Sequence, residues 1–235
     1  MIDVVYIKGT KSPNNDEELK FSLRSLKCVK DLGRVFITGE CPIFIDRSKV
    51  IFTQEKDIGC KMINHWWKVT QTILKTDISE NFVLMYDDIF FMKEVSLRDY
   101  PAYNRGLLKD HTTGTLLYRQ NLFDTDKWLK ENGYNTLDYE LHIPFIYNRT
   151  KFLKLKPIME KYIKKPKALA VRSLYGNINN LPSPYRKDLK LREKDCNIGD
   201  NECFSTSDNT FKNVYELLKS KYSEGCKYEY SMVFR

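Results

Sequence analysis

The sequence predicts an α/β protein: a mixed, mostly parallel sheet flanked by helices, with a decorated C-terminal half. Three observations lead there. The chain begins strand, helix, strand, an order that places parallel strands under covering helices. Residues 81–86, NFVLMY, are continuously apolar rather than alternating, as a strand buried on both faces requires. Helical periodicity of apolar residues recurs between the strand-like runs.

Taken in order, residues 2–7 are apolar and β-branched and read as the first strand. Residues 9–16 form a polar turn with Pro13 and two asparagines. In 17–29, Leu19, Leu23 and Leu26 recur at helical spacing, and Asp16 is placed to cap that helix. RVFIT at 34–38 predicts a second strand and 49–52 a third. Residues 61–74 carry Ile63, Trp66, Trp67, Thr70 and Ile73 in a helical pattern. After the apolar 81–86 run come Asp87 and Asp88, and IFFM restores apolar character. Beyond Lys93 the pattern loosens. TGTLLYR reads as an edge strand, 123–132 as a short helix, and 141–148 as a strand interrupted by Pro144. Residues 152–165 read as a basic helix broken at Pro157, 168–175 as a further helix or strand, and 211–221 as the last helix. No internal repeat is present. The expected arrangement is a single domain over 1–235 with halves 1–95 and 96–235, the second one decorated; a boundary near 150 is the alternative.

Composition narrows the function classes. The chain has 235 residues, 42% of them hydrophobic, with 13 Phe and 15 Tyr, which supports a substantial core and excludes a disordered protein. No apolar run reaches membrane-spanning length, and the start of the chain lacks the pattern of a secretory signal. The six cysteines match no structural zinc spacing and are expected to be reduced thiols of a cytoplasmic protein, with Cys196 and Cys203 as a possible pair. The formal charge is +8, with lysines concentrated at 151–167 and basic residues again at 186–194. Such a surface attracts polyanions: nucleic acid, an anionic glycan or a nucleotide diphosphate. A solvated basic face accounts for the same charge. Neither a dinucleotide fingerprint nor a phosphate loop occurs, which argues against an NAD enzyme or a P-loop kinase.

The sharpest chemical signal is Asp87–Asp88 at the end of a buried strand. Two carboxylates there are costly unless solvated, paired or bound to a cation. Hard oxygen ligands suit Mg²⁺ or Mn²⁺, and a cation beside a diphosphate neutralises charge on a departing phosphate oxygen. Neighbouring strand residues point to opposite faces, so Asp88 is expected as the metal ligand and Asp87 as a donor contact. In TLDYELHIPF, Asp138, Glu140 and His142 would share one strand face. Asp138 or Glu140 would serve as base toward an acceptor hydroxyl, and His142 as a second metal ligand. His111 and Tyr175 are candidate acceptor contacts, and His65 is expected to be structural. Arg172 offers a fork matched to phosphate, and Asp3, Lys61 and Asn64 are further candidates for the donor pocket.

DVVYIKG, NNDEELKFSLRSL, RVFITGECP and NFVLMYDDIFFM together resemble conserved blocks of the Stealth family and related GT-A-like, Rossmann-type transferases of bacteria and phages. The likeness covers about the first 95 residues and continues more loosely through His142, Pro144 and Phe145. Tyr86 stands where Stealth sequences carry asparagine. The resemblance implies a donor site that includes Asp3, Glu18, Arg24, Asp87 and Asp88; spacing alone assigns neither Glu18 nor Arg24. It implies a UDP- or GDP-sugar donor with Mn²⁺ or Mg²⁺, and transfer of a sugar to a hydroxyl acceptor. That acceptor would be a glycan or a hydroxymethylated base in phage DNA. Sugar-1-phosphate transfer of the Stealth type is the alternative, and a non-enzymatic nucleic-acid-binding module a third.

Overall fold

The computed structural model describes residues 1–10, 12, 14–192 and 198–230. Its centre is a five-stranded sheet of β1 (Ile2–Lys8), β2 (Leu32–Gly39), β3 (Ile51–Gln54), β4 (Asn81–Met85) and β6 (Phe145–Asn148), in the order β3-β2-β1-β4-β6. The first four are mutually parallel, and β6 runs antiparallel to β4. The mixed, mostly parallel sheet is therefore as the sequence predicts.

Both sheet faces are buried, and strand alternation divides the side chains between two layers. Val4, Tyr6, Val35, Ile37, Val83 and Met85 turn toward α1 (Glu17–Ser25) through Leu19 and Leu23. Val5, Phe36, Phe82 and Leu84 turn toward α2 (Lys61–Lys75) and α6 (Val171–Ile178), meeting Ile63, Trp66, Val69 and Leu174. β5 (Ile89–Phe91) and β7 (Cys203–Ser205) form a small antiparallel ribbon. Phe90 and Phe204 of that ribbon pack with Phe21 and with Phe211, Val214 and Leu218 of α7 (Phe211–Lys221).

Several local expectations change. TGTLLYR is not an edge strand: Thr115 caps α3 (Leu116–Glu131), its side chain accepting the Tyr118 N–H at 3.2 Å. Leu122, Thr125, Asp126 and Leu129 are buried at helical spacing, so tertiary contact settles the period that the local pattern left ambiguous. The basic stretch is divided into α4 (Arg149–Leu153) and α5 (Lys156–Met159), because Pro157 fits only the first turn of a helix. Asp16 precedes α1 in a left-handed conformation (φ 62°) and caps nothing with its side chain; its carboxylate pairs with Lys8 at 2.9 Å instead. Residues 138–142 are not a strand, since Asp138 Oδ1 accepts the Glu140 N–H at 2.9 Å and bends the chain into a local turn. Cys203 is a free buried thiol, its pKa pushed up to about 12 by burial; Cys196 lies outside the described residues. No helix among the described residues is long and apolar enough to cross a membrane.

Candidate functional site

In an open parallel sheet, ligands settle beyond the carboxyl ends of the strands where the strand order reverses. Here that point lies between β1 and β4. β1 delivers Lys8 to it, and β4 runs into Tyr86, Asp87 and Asp88. The chain turns after Tyr86, whose carbonyl accepts the Ile89 N–H at 3.4 Å, and this turn frees the two aspartates from strand alternation.

Asp87 faces Lys8 at 3.8 Å. Asp88 Oδ2 lies 3.2 Å from His142 Nδ1 and 3.4 Å from Lys190 Nζ. Glu18 of α1 completes the acidic cluster and accepts the Thr206 hydroxyl at 3.2 Å. These neighbours separate the carboxyls. Burial would raise Asp88, but His142 and Lys190 outweigh it and hold its pKa down to about 2. Asp87 is pushed up to about 7, first by burial and then by the Asp88 charge, against the pull of Lys8. Its side chain nevertheless remains 37% exposed, so solvent tempers the energetic consequence. Glu18 is also raised, by burial and by the neighbouring acids. Beside Lys8, a polar cleft of about 240 Å³ opens between the ends of β1 and β2, lined by Thr10, Ser12, Asn15, Asp16 and Glu40 among others.

The residues fit a divalent cation in a limited way. Asp88 Oδ1 is buried without a hydrogen-bond partner, an unsatisfied acceptor that a cation would complete. Among the described residues no group of three or more His, Cys, Asp or Glu gathers in ligand geometry. Asp88 and His142 are the side chains that could hold such an ion, with its remaining positions filled by water or other oxygen ligands, as in many Mg²⁺ sites.

Behind the turn is a buried polar plate. His65 lies between the Tyr86 and Tyr147 hydroxyls, each 3.1 Å away. Burial, with the Arg172 charge, holds His65 well below the usual imidazole range, so it is neutral: one ring nitrogen donates and the other accepts. Tyr86 meets the His142 ring with centroids 5.3 Å apart, and Arg172 stacks over Tyr86 at 4.5 Å. Arg172 also donates to the Leu141 carbonyl. His65 is structural, as its place in a Trp-flanked helix suggests, yet it fixes the tyrosine against which His142 rests.

Asp138, Glu140 and His142 do not share a face. Asp138 Oδ2 bonds His111 Nδ1 at 2.6 Å and Arg105 Nε at 2.9 Å, with only 1% of its side chain exposed. Arg105 continues to Asp188 at 3.3 Å, and Asp188 accepts the His142 N–H at 3.0 Å. Glu140 is directed to Ser173, accepting its N–H at 2.9 Å. The turn at Asp138 sends the three side chains in separate directions.

Other expected donor contacts lie elsewhere. Asp3 is at the amino end of β1, opposite the acidic turn, and binds Arg34 at 2.8 Å and Ser79. Arg24 is paired with Glu229 and the Tyr222 carbonyl. Asn64 secures the start of its own helix by accepting the Ile58 and Gly59 N–H groups. Lys61 is exposed on the first turn of α2. Tyr175 is buried among Phe145, Tyr147 and Phe152, and its hydroxyl accepts the Asn148 N–H. Two residues at the turn escaped the sequence reading. Lys8 carried a usable signal, a charge at the end of an apolar strand; Lys190, in an irregular segment, carried none.

No known family profile matches the chain, and no curated protein matches it in sequence. Among solved structures it is similar to the galactosyltransferase LgtC, determined in complex with donor and acceptor sugar analogues. The TM-score is 0.55 at 9% identity, over 96% of this chain and 98% of that one. The fold is GT-A-like. The chain is also similar to a glycosyltransferase involved in glycosylation of the major capsid of PBCV-1. There the identity is 10%, the coverage 92% of this chain and 98% of that one, and the TM-score 0.46. For the inositol-1-phosphate CTP transferase from T. maritima the identity is 13%, the coverage 96% and 97%, and the TM-score 0.49. At such identities the likeness concerns the path of the backbone. The chemistry rests on the GT-A-like chain's own residues.

Proposed function

We propose that this protein is a glycosyltransferase that takes a sugar from a nucleotide-sugar donor, a UDP- or GDP-sugar, to a hydroxyl acceptor. The observation that carries the reading is the charge-separated acidic turn at the reversal point of the sheet: Asp88 held ionised, with one buried oxygen left unpartnered. The nucleoside would enter the cleft beside Lys8, which places the diphosphate near Asp87 and Asp88. Asp88 and His142 would hold Mn²⁺ or Mg²⁺, which supplies Lewis-acid neutralisation of the departing phosphate. Lys8, whose side chain is 4% exposed, adds a fixed positive charge at the same end of the sheet.

On the acceptor side, we assign Asp138 to holding the His111 imidazole in place rather than to removing the hydroxyl proton. Its Oδ2 is occupied by the imidazole and by Arg105. The Glu140 carboxylate is held by Ser173, and Arg172 lies behind Tyr86 as support for the plate. In this reading Asp87 is a donor contact, and Asp3, Arg24, Asn64 and Tyr175 maintain the frame.

The test is product analysis. Purified protein is incubated with Mn²⁺, a panel of UDP- and GDP-sugars, and glycan or hydroxymethylated-DNA acceptors. Release of nucleoside diphosphate supports sugar transfer; release of nucleoside monophosphate would replace it by sugar-1-phosphate transfer. Asp88→Asn should lower turnover by about 10²-fold or more while the protein remains folded. Unchanged turnover in that variant would remove the acidic turn from the mechanism.

A further inference from the structure

Lys190 reaches the acidic turn from a distant part of the chain. Its backbone is anchored next to β7: Ser205 N–H donates to the Leu189 carbonyl at 3.2 Å, and Leu191 N–H to the Ser205 carbonyl at 2.8 Å. Its ammonium lies 3.4 Å from Asp88 Oδ2, 3.3 Å from His142 Nδ1 and 3.5 Å from His142 Nε2. The carboxylate and imidazole are themselves 3.2 Å apart. Lys190 Nζ therefore closes a triangle on the two side chains best suited to ligate a cation.

An ammonium and a divalent ion cannot share that triangle. At this separation the repulsion between the two cations exceeds thermal energy at any protein dielectric. The backbone anchor is fixed by the ribbon, but the side chain is a four-carbon stem that is still 24% exposed, with room to swing outward.

We propose that Lys190 is a built-in counter-cation, which holds the Asp88–His142 position until a divalent ion displaces it. This inference rests on the reading of Asp88 and His142 as the cation site and adds a property to it. Divalent binding is an exchange of cations, weaker than the two ligands alone would give. Before exchange, Lys190 holds Asp88 and His142 in place by direct contact, with Asp87, Glu18 and Lys8 as the other titratable groups around the turn. The same exchange discriminates among metals, because only an ion that gains enough from Asp88, His142 and phosphate evicts the ammonium.

Titration of Mn²⁺ alone, followed by calorimetry and by electron paramagnetic resonance, tests this in the full-length protein. Lys190→Met keeps the stem and removes the charge, and should bind Mn²⁺ about tenfold more tightly than wild type. Lys190→Arg should bind no more tightly than wild type. Asp88→Asn should abolish binding with or without Lys190→Met. Equal or weaker Mn²⁺ binding by Lys190→Met, with Asp88 still required, overturns the counter-cation inference and leaves the metal site standing. Saturable Mn²⁺ binding that survives Asp88→Asn, or none in any form, overturns the site and the inference together. A measurement on the unaltered protein guards against a misfolded variant: the Nζ resonance of Lys190 in lysine-labelled protein should shift on saturation with Mg²⁺. No shift at saturation also overturns the inference.

Discussion

At the scale of single residues, the site depends on separating two adjacent acids. Asp88 is ionised because His142 and Lys190 face it, whereas Asp87 is raised to about 7 by burial and by the Asp88 charge. The two shifts act on stability with opposite sign. Asp88 binds its proton less readily when folded, so its contribution is present above the ordinary carboxyl pKa and is lost as pH falls toward 2. Asp87 binds its proton more readily when folded, so folding is favoured below about pH 4 and that advantage disappears as pH rises through 7. Asp87→Asn imitates the protonated form. It should raise Tm at pH 8 and leave Tm unchanged at pH 4, as read by calorimetry at the two pH values; the same increment at both would show that charge is not its origin.

These two acids were legible in the sequence because charge at the end of an apolar strand is conspicuous. Their unequal pKa values were not, since Lys8 lies 79 positions before Asp87 and Lys190 lies 102 positions after Asp88.

At the scale of elements, the ends of β1 and β2 determine where Lys8 sits. Gly39 pairs with Lys8 in the parallel register and has φ 131°, and a Cβ there would lie 1.9 Å from the Lys8 carbonyl oxygen. That carbonyl also accepts Lys68 Nζ at 2.6 Å. Gly39→Ala must push β2 away from Lys8 as well as enter a backbone region that L residues avoid. It should cost about 1–3 kcal/mol in urea denaturation and weaken nucleotide-sugar binding. Gly9→Ala, with open space around the added methyl, is the matched control and should cost less than about 1 kcal/mol.

Helices and strands of the first 95 residues were readable because their apolar periods agree with burial. α3 was half readable: its second half is the helix expected over 123–132, but its start was not, because Leu116, Leu117 and Arg119 are exposed and the buried face packs on residues 108–110 and on α6. The 138–142 segment misleads for a related reason, since alternation of polar residues resembles a strand until Asp138 bonds the backbone two residues on.

At the scale of the whole molecule, the charge distribution separates two tasks. Lys151, Lys154, Lys156, Lys161, Lys164, Lys165 and Lys167 are all exposed, whereas the cations of the site, Lys8 and Lys190, are partly or wholly enclosed. We expect the exposed lysines to govern association with polyanions and the enclosed ones to govern donor binding. Wild type should bind an oligonucleotide and an anionic glycan with an affinity that falls steeply with added salt, and exchanging Lys161, Lys164 and Lys165 for Glu should abolish that binding. Donor-induced thermal stabilisation should persist in that variant. Loss of both together would show that the basic segment belongs to the donor site.

The sequence by itself determined the α/β class, the strand that carries Asp87 and Asp88, and the concentration of positive charge. Each is written in local patterns of polarity that burial and solvation read directly. Only the tertiary structure decided which groups meet. It placed Asp3 and Arg24 in distant ion pairs, set His142 and Lys190 on Asp88, and enclosed Asp138 with His111 and Arg105. Partners of a buried charge are chosen by the crossing of elements far apart in the chain, and no spacing along a single strand encodes that choice.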